Sequence, residues 1–224
     1  MADQRTGTQA RIRLAGRALN ATIARAPWAW PLVRGPMRRF FDDSAAGWDR
    51  RTGAGSVEHL AALATAVTVV EPAPERVLDI GTGTGEAALF LAREFPRASV
   101  RGIDISEEMI RRATGKVGLD PEGRIAFRVA DAAALPYDGH AFDLVAQVNM
   151  PPFFAEIGRV LRPGGHVIIV ASWGSQTPFY TPDAVLDRGF ARRQIERVAS
   201  GQVGAGTYWV GRMQAASDLA SAAH

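Results

Sequence analysis

The 224-residue chain contains no cysteine. Disulfide frameworks, thiolate metal sites and cysteine nucleophiles are therefore excluded, and a reducing interior is permitted. Its four histidines are scattered and suggest no metal site. Lys116 is the sole lysine, so nearly all of the base is arginine, and 23 acids hold the net charge to +3. That balance reads as a compositional habit, not a nucleic-acid footprint. No apolar run approaches the ~18–20 residues of a membrane span. The first residues lack the apolar core and small-residue cleavage site of a secretory leader, so a cytoplasmic protein is expected. What is present is ordinary for a globular domain: 47% apolar and 22% charged residues, enough for one sizeable core.

Charge of one sign is nearly missing from residues 1–39, where eight arginines (Arg5, Arg11, Arg13, Arg17, Arg25, Arg34, Arg38 and Arg39) accompany the single acid Asp3. Ile12, Leu19 and Ile23 fall near helical spacing and predict a short amphipathic helix. The prolines of WAWPLVRGP then predict a break. An arm packing Trp28 and Trp30 on the main domain, a membrane-surface anchor and an organelle transit peptide are all consistent with this composition. The chain divides into an arm and cap segment (1–54), a main domain (55–212) and a small, polar tail (213–224).

From residue 55 onward the pattern alternates. SVEHLAALATAVTVV predicts a helix capped by Ser56. RVLDI, ASVRGIDI, RIAFRVAD, AFDLVAQV and HVIIVAS predict strands, with helices at EAALFLAREF, after Ser106 and at PPFFAEIGRVL. VLDRGFARRQIERVASGQVGAGTYWVGRM predicts a helix end and two further strands. Such alternation implies parallel β-α-β units, a sheet covered on both faces and a ligand beyond the carboxyl ends of the strands.

One loop stands out. In VLDIGTGTGEA, Gly81, Gly83 and Gly85 follow the first strand and precede a helix. Missing side chains there let a ligand rest on the main chain. A dinucleotide fingerprint would require glycine at Glu86, and an acid there repels phosphate. A Walker loop would require Gly-Lys-Ser/Thr. The acids Asp79 and Glu86 around the loop suit instead a phosphate-free ligand ending in an ammonium group.

VLDIGTGTGEAAL resembles the first motif of the class I S-adenosylmethionine-dependent methyltransferases. Asp104 in GIDIS, Asp131 in VADAAALPY, FDLVAQVNM and LRPGGHVIIV follow in family order, and the resemblance spans residues 40–212. It is closest to small-molecule methyltransferases of the quinone and sterol kind. It implies an α/β, Rossmann-like, doubly wound sheet of seven mostly parallel strands with an antiparallel last strand, beside the N-terminal helical arm. It implies S-adenosylmethionine as cofactor, S-adenosylhomocysteine as product and a small-molecule acceptor. Asp79, Gly81, Thr82, Gly83 and Gly85 would form the cradle, and Asp104 with Ile105 would meet the ribose. Met109, Asp131 and Ala132 would meet adenine, and Gln147 would stand at the end of the fourth strand. Phe41, Trp48, Asn149, Trp173 and Tyr180 are candidates for the acceptor side.

QVNMPPFF differs from the N/D-P-P-Y/F motif of amide and adenine methyltransferases, because Met150 separates Asn149 from the prolines. A nucleic-acid or protein amide methyltransferase and a catalytically silent cofactor-binding protein are the competing readings; no nucleic-acid partner is expected, and the oligomeric state is open. His59 is the best placed of the histidines as a base, with Asp42 and Asp43 as acid candidates. His140 and His166 are expected at the far end of the sheet.

Overall fold

The computed structural model describes residues 14–23 and 26–215. Ile12, Arg5, Arg11, Arg13, Arg25 and residues 216–224 of the tail lie outside them. A helix, α1, covers 14–23. A single 3-10 turn, Pro27–Ala29, leads into α2 (Trp30–Ser44), followed by α3 (Trp48–Thr52) and α4 (Val57–Val67). Then come β1 (Arg76–Ile80), α5 (Glu86–Glu94), β2 (Ser99–Asp104), α6 (Glu107–Lys116), β3 (Ile125–Val129), β4 (Phe142–Val148), α7 (Phe154–Val160), β5 (Leu161–Ala171), α8 (Asp183–Ala191), β6 (Ile195–Val203) and β7 (Gly206–Met213).

All seven strands form one sheet in the order β3-β2-β1-β4-β5-β7-β6. The first five run parallel, and β7 lies antiparallel between β5 and β6. Successive residues face opposite layers. Leu78, Val145, Val167 and Ile169 pack with α7, α8, Ile23 and Trp30, whereas Val77, Leu144, Ile168 and Val170 pack with α4 and α5. This double burial is why the strands read as continuous apolar runs. Each fully buried aliphatic side chain contributes about 1.5–3 kcal/mol.

Two expectations need correction. The prolines of WAWPLVRGP do not end helical structure: α2 begins at Trp30, holds Pro31 in its first turn and runs through Pro36. Proline is tolerated in a first turn, where its missing N–H has no intrahelical partner. Further along, Pro151 and Pro152 precede α7 instead of opening it, because the helix starts at Phe154.

Because β1 to β5 are parallel, their carboxyl ends share one edge of the sheet. The chain steps from β1 outward through β2 and β3, then returns to the other side of β1 as β4. That reversal opens a crevice beyond β1 and β4, where doubly wound sheets receive ligands.

Candidate functional site

A cavity of about 420 Å³ occupies this crevice. One wall comes from the sheet edge: Gly81–Thr84 after β1, Asp104 and Ile105 at the end of β2, Ala130 and Ala132 after β3, and Val148–Pro151 with Phe153 at and beyond the end of β4. The other is helical and includes Trp30, Met37, Phe41, Trp48 and His59.

The three loop glycines all have positive φ, at 72°, 53° and 88° for Gly81, Gly83 and Gly85. Their surroundings differ. A Cβ on Gly81 would overlap the Met150 sulfur, and one on Gly85 would press on Ala113 and Phe127 at 2.9 Å. Only Gly83 is bare toward open space, its nearest neighbour being Trp48 Nε1 at 4.0 Å. The cradle that a side chain would fill is therefore at Gly83.

Asp104 closes β2 facing that cradle. Its Oδ2 accepts from the Gly83 amide at 3.0 Å and its Oδ1 from the Ser106 amide at 2.9 Å. A carboxylate has about four lone-pair positions, so two remain for a ligand's hydroxyl groups. Burial raises its pKa above the usual carboxylate range, against the downward pull of those amides. Ile105, Met109 and Ala132 add an apolar slot beside it. The Ala132 amide makes no hydrogen bond among the described residues. These features fit an adenosyl ligand.

Asp79 lies behind the loop, 1% exposed, and is not part of the cavity lining. Its Oδ2 accepts from the Thr82 hydroxyl at 2.6 Å, and its Oδ1 has no partner. Burial pushes the carboxyl up to about 7, Thr82 and the Ala88 amide pull it down, and Asp104 pushes it further up.

Asp131 is held by the helical wall. Its Oδ1 accepts from Trp30 Nε1 at 2.8 Å and from the Ala133 amide at 2.9 Å, and its Oδ2 meets Arg34 at 3.3 Å. Gln147 is fully buried beneath the cavity, with its Oε1 unpartnered and its Nε2 3.4 Å from the Pro151 carbonyl.

On the acceptor side, Phe41 and Trp48 meet edge to face at 5.6 Å and both line the cavity, as do Trp173 and Asn149. Tyr180 lines a second depression instead, with Asn20 and Arg188. Asn149 adopts a positive φ of 58°, and both ends of its amide are spent on Ser172, at 2.7 and 3.0 Å. Each end of the amide thus already has one partner, and Met150 separates Asn149 from the prolines.

His59 lines the cavity in the first turn of α4, where Ser56 Oγ caps the helix by accepting from the His59 amide at 3.1 Å. Its ring stands edge-on to Trp173 at 6.4 Å, and its Nδ1 is buried without a partner. Burial lowers its pKa below the ordinary 6.5, while Glu86, the Thr52 carbonyl and Asp49 pull it up. Asp42, by contrast, is committed to the start of α6, accepting from Ser106 Oγ at 2.6 Å and from the Glu108 amide at 3.3 Å. His140 bonds the Leu161 carbonyl, and His166 pairs with Arg212 across the sheet, both away from the cavity.

Sequence reasoning missed Trp30 and Met37. With Phe41 they lie 7 and 4 residues apart, a one-face pattern visible only once a helix is allowed through Pro36. It also missed the partner of Glu86. Lys116 bridges Glu86 at 2.7 Å and Asp49 at 2.6 Å, and Thr84 Oγ1 donates to the other oxygen of Asp49.

Residues 77–165 match the methyltransferase domain family. Over 159 residues the chain is 32% identical to the ubiquinone/menaquinone biosynthesis C-methyltransferase of Syntrophotalea carbinolica, covering 68% of this chain and 62% of that protein. It is 38% identical over 111 residues to the demethylmenaquinone methyltransferase of Thermus thermophilus, covering 45% and 49% respectively. The chain thus spans about half to three fifths of the length of these curated relatives. An S-adenosylmethionine-dependent methyltransferase from Aquifex aeolicus shares the fold, with a TM-score of 0.59 at 18% identity, over 70% of this chain and 92% of that one. With this domain match placed on this sheet and the ligand crevice at the strand reversal, the chain carries a methyltransferase domain and is similar in sequence and fold to S-adenosylmethionine-dependent methyltransferases.

Proposed function

We propose that the chain transfers a methyl group from S-adenosylmethionine to a flat, largely apolar small molecule. The observation that carries this reading is one cavity lined by two unlike kinds of surface. Asp104 and the bare Gly83 main chain supply its polar surface, and Phe41, Trp48, Met150 and Trp173 supply an apolar one. The quinone-pathway names of the relatives support an acceptor of this shape.

When bound, S-adenosylmethionine supplies a sulfonium-activated methyl group whose departure leaves a neutral thioether. The protein's task is to bind, align and exclude water. Asp104, with lone pairs left over from the Gly83 and Ser106 amides, would hold the ribose hydroxyls. Ile105, Met109 and Ala132 hold the base, with the Ala132 amide donating to it. Asp131 fastens Trp30 across this end and acts through the wall it positions. The aromatic end holds the acceptor in line, and orientation of this kind supplies about 7–11 kcal/mol. His59, which lines the cavity and is kept neutral by burial, serves as the base for an acidic acceptor.

Calorimetric titration with S-adenosylhomocysteine tests the cofactor half. Asp104→Ala is expected to weaken binding by about 1.5–3 kcal/mol, the worth of hydrogen bonds to a charged group. Equal affinity in wild type and variant would remove the assignment. Transfer of isotopically labelled methyl to 1,4-naphthohydroquinone, kept reduced, tests the acceptor half.

A further inference from the structure

Helix α3 is five residues long, too short to persist on its own hydrogen bonds. Glycines of positive φ bound it, Gly47 at 70° and Gly53 at 69°, so neither α2 nor α4 passes its direction on to it. Its place is set by side chains. Arg51 and Thr52 bond near neighbours, the carbonyls of Ser44, Ala46 and Trp48. Among the described residues, Asp49 is the one side chain of α3 that bonds the sheet-bearing part of the chain. Its Oδ1 accepts from the Thr84 hydroxyl and its Oδ2 from the Lys116 ammonium at 2.6 Å.

Lys116, the last residue of α6, also meets Glu86 Oε1 at 2.7 Å. Glu86 opens α5 directly after Gly85, and its carboxylate lies against Gly55, where a Cβ would overlap it. One ammonium thus joins α3, the start of α5 and the end of α6. It reaches the glycine loop from both sides, through Asp49 to Thr84 and through Glu86 to Gly85. Trp48 rides on α3, with its Nε1 4.0 Å from the point where Gly83 would carry a Cβ. The side chains of Lys116, Asp49 and Glu86 are 26%, 39% and 24% exposed, so water screens these pairs less than it screens a fully exposed one.

Lys116 matters for charge as well as for position. Without it, two carboxylates gathered around one point would have no cation between them, and their repulsion would drive α3 away from α5. The same two acids, Glu86 from α5 and Asp49 from α3, are the charged groups that favour the protonated form of His59. Arg51 and Asp104 line the cavity with them.

We propose that Lys116 is the positioning residue of the cavity: through Asp49 and Glu86 it fastens α3, and with it Trp48, against the glycine loop. The fastening is a property of the ligand-free chain. Its bearing on catalysis rests on the proposed methyl transfer.

The test uses the ligand-free full chain and Lys116→Met, which removes the charge and keeps the length of the side chain. Hydrogen exchange across residues 47–55 is expected to quicken by roughly threefold to tenfold, while the strands keep their protection. The titration of His59, followed by nuclear magnetic resonance and assigned by its loss in His59→Asn, is expected to move to higher pH, because the two acids lose their counter-charge. In an Asp49→Asn background, Lys116→Met should change the exchange of this segment much less, since one of the two pairs is already gone. Unchanged exchange across 47–55 in Lys116→Met overturns the proposal. So does an unmoved His59 titration, and so does an equal effect of Lys116→Met in the Asp49→Asn background, which would confine the role of Lys116 to α6. S-adenosylhomocysteine affinity is expected to fall by about threefold to tenfold in Lys116→Met. Quickened exchange with no S-adenosylhomocysteine binding to the wild type would sink the proposed activity and leave the fastening standing; firm binding with unchanged exchange would sink only the fastening.

Discussion

The two walls of the cavity are built on different principles. The sheet-edge wall is set by backbone ladders: β1 pairs with β2 along its whole length and with β4 from Val77 to Ile80, so Gly81, Asp104 and Val148 are brought to one edge by strand register. The helical wall hangs on a few side-chain contacts: Trp30 and Arg34 on Asp131, Asp42 on Ser106, and Asp49 on Lys116 and Thr84. The first wall is held by strand ladders and presents Asp104 and the bare Gly83 main chain. The second is adjustable and carries most of the apolar surface an acceptor would meet.

The sharpest test of this contrast falls on the helical wall. His59→Asn is expected to slow methyl transfer to an acidic acceptor by about 10²–10⁴-fold. It should also abolish the rise in rate with pH, which in the wild type lies below 6.5, since burial holds the imidazole below that value. Affinity for S-adenosylhomocysteine should stay unchanged; a variant that loses this affinity instead makes His59 a cofactor contact. On the sheet side, Leu78→Ala in the fully buried centre of β1 is expected to lower global stability by about 2–5 kcal/mol, measured by urea unfolding.

Asp79 gives a pH test of the same wall. Its carboxyl is raised from 3.8 to about 7, so the native state holds the proton more tightly than the unfolded chain. The resulting stability is complete below about 4 and is lost as pH rises through about 7, with an upper bound of about 4 kcal/mol. Asp79→Asn should flatten this dependence in unfolding midpoints taken on either side of that pH. The smallest expected effect is on the helical wall's clasp. Trp30→Phe removes the donor to Asp131 and should let α2 open more readily, by about 1–3 kcal/mol in hydrogen exchange, while the strands keep their protection.

The sheet-edge wall was legible in the sequence because its signals are local. A glycine loop after a strand, an acid at the next strand end and a Pro-Gly-Gly stop each state their own position. The helical wall was harder to read because its decisive relations are not local. Trp30 lies 101 positions from Asp131, and nothing near either residue announces the pair. Prolines 31 and 36 hid α2, and with it the spacing that places Trp30, Met37 and Phe41 on one face. Tyr180 shows the converse error: an aromatic in the right loop turns to a different depression, because neighbouring residues of an irregular segment share no fixed direction.

One polar chain joins the two walls. Asp42 on α2 receives the Ser106 hydroxyl, Ser106 gives its amide to Asp104, and Asp104 receives the amide of Gly83. A fragment cut at residue 55 would retain every strand but lose the first link of this relay. The affinity such a fragment has for adenosine would therefore report on residues that never touch it.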